Sequence, residues 1–218
     1  MDPSLVIAIL SLVVSVTTAW LTFFRTGQLK MTQPTVIFFG PDDAADLTSR
    51  KTRSKVFLRT LLYSTARRGQ TVESLHVNLQ RGESQQNFSV WVYGEKGELV
   101  RGSGLFVPMD GIATNHHFML PMDGGEFPFL GGDYSLRVFA KRVDAPAELL
   151  ANISLHVSEI HARELREDKN AGLYFDWGPD QRSYYAHVDV KRLEPKGLPE
   201  SLHTLEDLAL GRIPSRSQ

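Results

Sequence analysis

Leu75-His76-Val77-Asn78-Leu79-Gln80 and, past Gly82-Glu83-Ser84, Phe88-Ser89-Val90-Trp91-Val92-Tyr93 place an apolar residue at every second position. Successive side chains on an extended chain point to opposite faces, so this period marks strands with one face in a core and the other in water. The turn residues between them make the two runs neighbours. On this reading Phe88, Val90 and Val92 face inward, while Trp91 and Tyr93 fall on the outward face.

The same pattern extends in both directions. Tyr134, Leu136, Val138 and Ala140 alternate with Ser135, Arg137 and Lys141; beyond Ala145-Pro146, Leu149, Ala151, Ile153, Leu155 and Val157 repeat it. Val56 to Tyr63 is apolar on both alternating sets, as a central strand would be. Thr35 to Phe39 reads as a strand closed by Gly40-Pro41-Asp42, and shorter runs lie at Leu99 to Val107 and Ile112 to Leu120. One helix interrupts them, with Ser158 as its cap, Glu159 to Lys169 as its body and Gly172 past its end. Leu173 to Trp177 and Tyr184 to Val190 then make a final hairpin about Gly178-Pro179-Asp180. Some nine short strands with Gly, Pro and Asp turns predict an all-β protein, an antiparallel β-sandwich with one short helix.

Within that series, Gly132-Asp133-Tyr134-Ser135-Leu136-Arg137-Val138 resembles the G-x-Y-x-L-x-V late strand of immunoglobulin-like and fibronectin-like sandwiches. The resemblance covers about ten residues. It implies an Ig-like fold and a tyrosine corner in which the Tyr134 hydroxyl bonds to backbone upstream. It implies no function, and the inter-sheet cysteines of antibody domains are absent, since the chain has no cysteine.

Before the strands comes Leu5 to Phe24, without a charged residue. As a helix these residues span ~30 Å, the hydrocarbon thickness of a bilayer. Asp2 and Pro3 punctuate its start and Gly27 its end. A cleaved signal peptide wants a basic start, a shorter apolar run and small residues where Trp20, Phe23 and Phe24 stand, so the stretch reads as an uncleaved transmembrane anchor. Arg25 and Lys30 follow the span and only Asp2 precedes it, which by the positive-inside bias puts the N-terminus outside and the folded domain in the cytoplasm. Ala8, Ser11, Ser15, Thr18 and Thr22 recur on one helix face as a small-residue stripe, an arrangement that permits close packing with a second copy or another helix. Hydroxyls folded back onto their own carbonyls are the competing reading.

The expected domain organisation is an anchor over 1–27, a linker over 28–34, the sandwich over 35–193, and a short amphipathic helix with a disordered tail over 194–218. Net charge is −1, and nothing in the whole chain asks for nucleic acid. The distribution is uneven: residues 25 to 68 carry nine Lys and Arg against three Asp, which fits a domain close to an anionic leaflet.

No catalytic residue and no cofactor can be assigned. Gly102-Ser103-Gly104 lacks the strand-to-helix setting of a hydrolase elbow, so a membrane-tethered hydrolase is the weakest reading. Among polar clusters, Asn115-His116-His117 places its histidines on opposite faces of a strand; one of them could join His187 and Asp189 as metal ligands only if those strands were neighbours. That set would serve an extracytoplasmic ligand- or metal-binding domain, the alternative reading. The aromatics Trp91, Tyr93, Tyr174, Trp177, Tyr184 and Tyr185 are candidates for a partner surface. The leading expectation is therefore a single-pass membrane protein whose partners are the bilayer and a protein, bound by the sandwich or through the helix.

Overall fold

In a computed structural model, residues 2–23, 27–42, 53–95, 98–121 and 127–190 are described. They form helix α1 (Pro3–Phe23), strands β1 (Leu29–Met31), β2 (Val36–Pro41), β3 (Ser54–Ser64), β4 (Gln70–Arg81), β5 (Ser84–Phe88), β6 (Val90–Tyr93), β7 (Val100–Arg101), β8 (Leu105–Val107), β9 (Ile112–Met119), β10 (Gly132–Arg142) and β11 (Ala147–Val157), helix α2 (Glu159–Glu167), and the hairpin β12 (Ala171–Gly178) and β13 (Ser183–Val190). The short helix and tail expected over 194–218 lie outside the described residues.

All strand pairs are antiparallel, in two sheets. The larger runs β13-β12-β2-β3-β9-β6-β7, with β1 on the far part of β3; the smaller runs β11-β10-β4-β5, with β8 on β4. Inner faces of both sheets supply one core. Ile37, Phe39, Val56, Leu58, Phe118, Leu173 and Phe175 of the larger sheet meet Val77, Leu79, Phe88, Leu136, Val138 and Leu155 of the smaller. Each of these large side chains removed from water contributes about 1.5–3 kcal/mol, which is what holds two sheets face to face.

Three expectations change. First, the Phe88 to Tyr93 run is not one strand. Phe88 pairs with Val77 in the smaller sheet and Val90 with Met119 in the larger, so the chain switches sheets at Ser89. The switch inverts the parity of every side chain after it, so Trp91 is buried at 4% exposure rather than presented to solvent, and Tyr93 stacks on it half-buried.

Second, residues 28–34 are not a free linker. Leu29 is buried in the core, and β1 pairs with Leu62 to Ser64 of β3. The Thr60 hydroxyl donates to the Thr32 carbonyl at 2.7 Å, closing the gap between β1 and β2. Third, the helix is shorter than Glu159 to Lys169. The Ser158 hydroxyl caps α2 by accepting from the His161 amide at 3.1 Å, but α2 ends at Glu167 with Asp168 as its C-cap, and Gly172, past the end, lies within β12.

In α1, the Asp2 carboxylate accepts from the Ser4 amide at 3.4 Å, in the capping role read for it. The Ser15 and Thr18 hydroxyls donate to the carbonyls of Ser11 and Val14, both at 2.8 Å, so they bond within their own helix. This helix is long and apolar enough to cross a membrane. The side chain of Thr22 lies outside the described part.

Candidate functional site

The outer face of the larger sheet carries a row of rings that no single stretch of sequence announces. His117 on β9 is opposite Phe57 on β3, Phe57 opposite Phe38 on β2, Phe38 opposite Tyr174 on β12, and Tyr174 opposite His187 on β13. Directly opposed side chains on neighbouring strands lie close together, so the five rings form a ladder in one register row. Ring centroids are 5.0 Å apart for Phe57 and His117, 4.8 Å for Phe38 and Tyr174, and 5.5 Å for Tyr174 and His187.

Phe38 explains two glycines. A Cβ on Gly172 would sit 2.0 Å from the Phe38 ring and one on Gly40 at 2.5 Å, so the ring lies flat along the sheet over both. Its exposure is only 4%, with the Lys55 ammonium 5.6 Å from its centroid. Lys55 itself is nearly buried and pairs with Asp42 at 3.3 Å.

Polar groups flank the ladder. Two register pairs along, on the same face, Arg59 binds Glu95 at 3.1 Å and Asn115 at 3.0 Å, and Asn115 donates to Glu95 at 3.0 Å. His187 is 3.4 Å from Asp176. Burial foremost, then the Lys55 charge, lowers the His117 imidazole to about 4 against an opposing pull from Asp42, so this ring is neutral at physiological pH. Burial, with the Asp189 carboxylate second, raises the Tyr174 phenol. The face is a strip of rings with Arg59, Glu95 and Asn115 on one side of it and Asp176 beside its His187 end.

His117 and His187 thus share one face and one row, but β12, β2 and β3 separate their strands. Four strand spacings hold them ~19 Å apart. The neighbouring-strand condition for a joint metal site with Asp189 is not met, and among the described residues no three His, Cys, Asp or Glu gather as metal ligands.

His116 points the other way, into the core. Its Nδ1 accepts from Trp91 Nε1 at 3.2 Å, and its Nε2 is buried without a protein partner. Burial, reinforced by His117, lowers this ring to about 3. Gly102 lies against the Trp91 ring, where a Cβ would be 2.0 Å from it, and donates its amide to the Trp91 carbonyl at 2.9 Å. The Gly-Ser-Gly stretch therefore makes room for a tryptophan, with Ser103 exposed.

The hairpin aromatics divide by parity. Tyr174 and exposed Tyr185 belong to the outer face; Trp177 and Tyr184 pack on each other at 5.0 Å beside Gln33, Asn152 and Arg182, where the edges of the two sheets converge. Tyr184 donates to the Pro34 carbonyl at 2.8 Å, and burial pushes its phenol up to about 12. Phe38 and Phe57 were missed from sequence because Thr35 to Phe39 and Val56 to Tyr63 are apolar on both faces; only strand register separates core rings from ladder rings.

Set against protein-family models, curated proteins and solved structures, the chain finds no match. Its class is defined by its own architecture: an all-β two-sheet antiparallel sandwich behind an apolar N-terminal helix.

Proposed function

We propose that the chain is a single-pass membrane protein whose sandwich is an immunoglobulin-like interaction module, held on the cytoplasmic side and binding a protein partner through the aromatic ladder. The observation that carries the reading is the ladder itself: five rings in one register row across five strands, on a face whose other side already serves the core. Half-buried Phe57, His117 and Tyr174 and exposed His187 offer rigid contact area at low entropic cost, around a Phe38 that is itself covered.

The immunoglobulin-like assignment rests on order and on one hydrogen bond. With β2 as strand A, the sheets run β2-β3-β9-β6 and β11-β10-β4-β5, matching A-B-E-D and G-F-C-C′. Tyr134, near the start of the strand equivalent to F, donates its hydroxyl to the Leu130 carbonyl at 2.8 Å, the tyrosine-corner bond. The hairpin β12–β13 widens the first sheet beyond strand A and brings Tyr174 and His187 into the ladder. Membrane placement is supported by the length and apolarity of α1, and orientation by Arg25 and Lys30 after the span.

Photocrosslinking tests the partner reading. A photoreactive residue at Tyr185 or His187 of the full chain in its native membrane should give one discrete protein adduct, absent when the same group replaces His76 on the opposite sheet. Adducts of equal yield from both faces, or none from the ladder, refute it. Protease added to inverted vesicles should digest the sandwich; protection there would move the domain outside the cytoplasm.

A further inference from the structure

The end of the sandwich that carries Gly27 differs from the rest of its surface. Gly27 is fixed to the domain: its carbonyl accepts from Gln70 Nε2 at 2.6 Å, the Gln28 amide donates to Thr65 Oγ1 at 2.7 Å, and the Thr65 amide donates to the Gln28 carbonyl at 2.9 Å. The last helical residue of α1 is Phe23. Four peptide steps join Phe23 to Gly27, and fully extended they reach at most ~14 Å. Strand β3 alone has 11 residues, about 36 Å. However the domain tilts, the end bearing Gly27 stays within ~14 Å of the helix terminus, while its opposite end can lie far away.

Three turns meet at this end, and three large apolar side chains are exposed there, one on β8 and two in the turns. Phe106 is 58% exposed with its ring over Gly69, next to Ala66, against which Gly27 packs. Met109, 51% exposed, sits in the turn whose Pro108 carbonyl accepts from the Ser64 amide. Val143, 52% exposed, donates its amide to the carbonyl of Thr71, and Thr71 stands opposite Phe106. Phe106, Thr71 and Val143 therefore form a row across β8, β4 and the tip of the β10–β11 hairpin, with Met109 beside it. Arg67 and Arg68 are exposed on the turn beneath the Phe106 ring, and Asp110 and Asp144 share the same tips. Of the other exposed apolar side chains among the described residues of the sandwich, Leu99 and Val100 adjoin each other at β7, Leu149 is on β11 near the same hairpin tip, Ile160 is on α2, and Tyr185 and Val190 are on β13.

We infer that this end is a lipid-contacting surface: Phe106, Met109 and Val143 enter the interfacial layer of the bilayer that holds α1, with Arg67 and Arg68 at the level of the lipid phosphates. The inference rests on α1 spanning that bilayer. An aromatic ring and aliphatic side chains partition favourably into the interface, and arginines beside them meet phosphate. The bilayer is chosen over a protein because the short connection keeps this end at the membrane surface whether or not a partner is present. The contact fixes the sandwich upright and leaves the ladder on its flank open to a partner.

The absence of cysteine makes the test direct. Full-length chains carrying Phe106→Cys, Thr71→Cys, Met109→Cys, Val143→Cys, Glu83→Cys or Ser15→Cys are labelled with an environment-sensitive dye and reconstituted in vesicles of phosphatidylcholine and phosphatidylglycerol. Nitroxide-bearing lipids report depth. Dyes at 71, 106, 109 and 143 should shift to the blue and lose intensity to a nitroxide near the headgroups, while the dye at Glu83, in the turn at the opposite end, does neither. Quenching at these four positions no greater than at Glu83 overturns the inference. Ser15 separates the two levels: quenched by a nitroxide deep in the acyl chains while the tips stay silent, it leaves the anchor and removes the docking surface; unquenched, it removes the membrane reading as well.

Discussion

Acid should unfold this sandwich through His116, and the effect can be sized. The ring is fully buried between Trp91 and Phe118, at centroid distances of 6.1 and 6.3 Å, and burial holds it near 3 against an ordinary 6.5. Below pH 6.5 the unfolded chain takes up a proton that the folded ring refuses until pH about 3, so stability is intact above that window and falls as pH drops through it. One such proton costs ~1.4 kcal/mol per pH unit, hence about 2 kcal/mol at pH 5 and about 3 kcal/mol at pH 4 relative to pH 7.5. His117, lowered for the same leading reason, acts in the same direction. In His116→Phe the ring cannot titrate, but the Trp91 N–H loses its acceptor, an expense of ~1–3 kcal/mol at every pH. The wild type should therefore be the more stable at pH 7.5, and the two stabilities should converge or cross near pH 5. Urea midpoints of the full chain in detergent, followed by tryptophan emission at a series of pH values, read both lines. A His116→Phe line as steep as wild type between pH 6 and 4 would refute the assignment.

Two further predictions concern the frame. Gly172→Ala places a methyl in the Phe38 ring and should destabilise the fold by ~1–3 kcal/mol, read as a lower melting temperature, while lowering the crosslinking yield at His187 because the ladder loses its flat centre. Tyr134→Phe removes the hydroxyl bond to the Leu130 carbonyl and should cost about 1–2 kcal/mol in the same measurement; an unchanged melt would mean that the corner contributes packing alone.

Where alternation and strand coincide, the fold was legible in the chain. Leu75 to Gln80 and Tyr134 to Lys141 read correctly because each strand stays within one sheet and buries one face, so local period equals final orientation. The same rule misled at Trp91. Nothing within Phe88 to Tyr93 marks Ser89 as the point where the chain leaves one sheet for the other, and a single unpaired residue reverses everything after it. Residues 28–34 read as a linker because β1 is three residues long and its stability comes from Leu29 in the core and from β3, not from propensity. The ladder was half visible, since His117, Tyr174 and His187 stood out as residue types, but their alignment is a property of the register of five strands. Register is set by distant turns and by the core, and no window of sequence contains it.

The course of the first strands also decides how the domain meets mechanical force. From Gly27, β1 and β2 run away from the anchor end along β3, and β13 leaves the larger sheet at Val190, at the opposite end. Tension applied between Gly27 and Val190, as the proposed bilayer anchor and a load on the far end would apply it, is thus directed along the strands. Antiparallel hydrogen bonds lie perpendicular to that direction, so those joining β1 and β2 to β3 are sheared together instead of being unzipped one after another, the geometry in which a sandwich under load yields least readily.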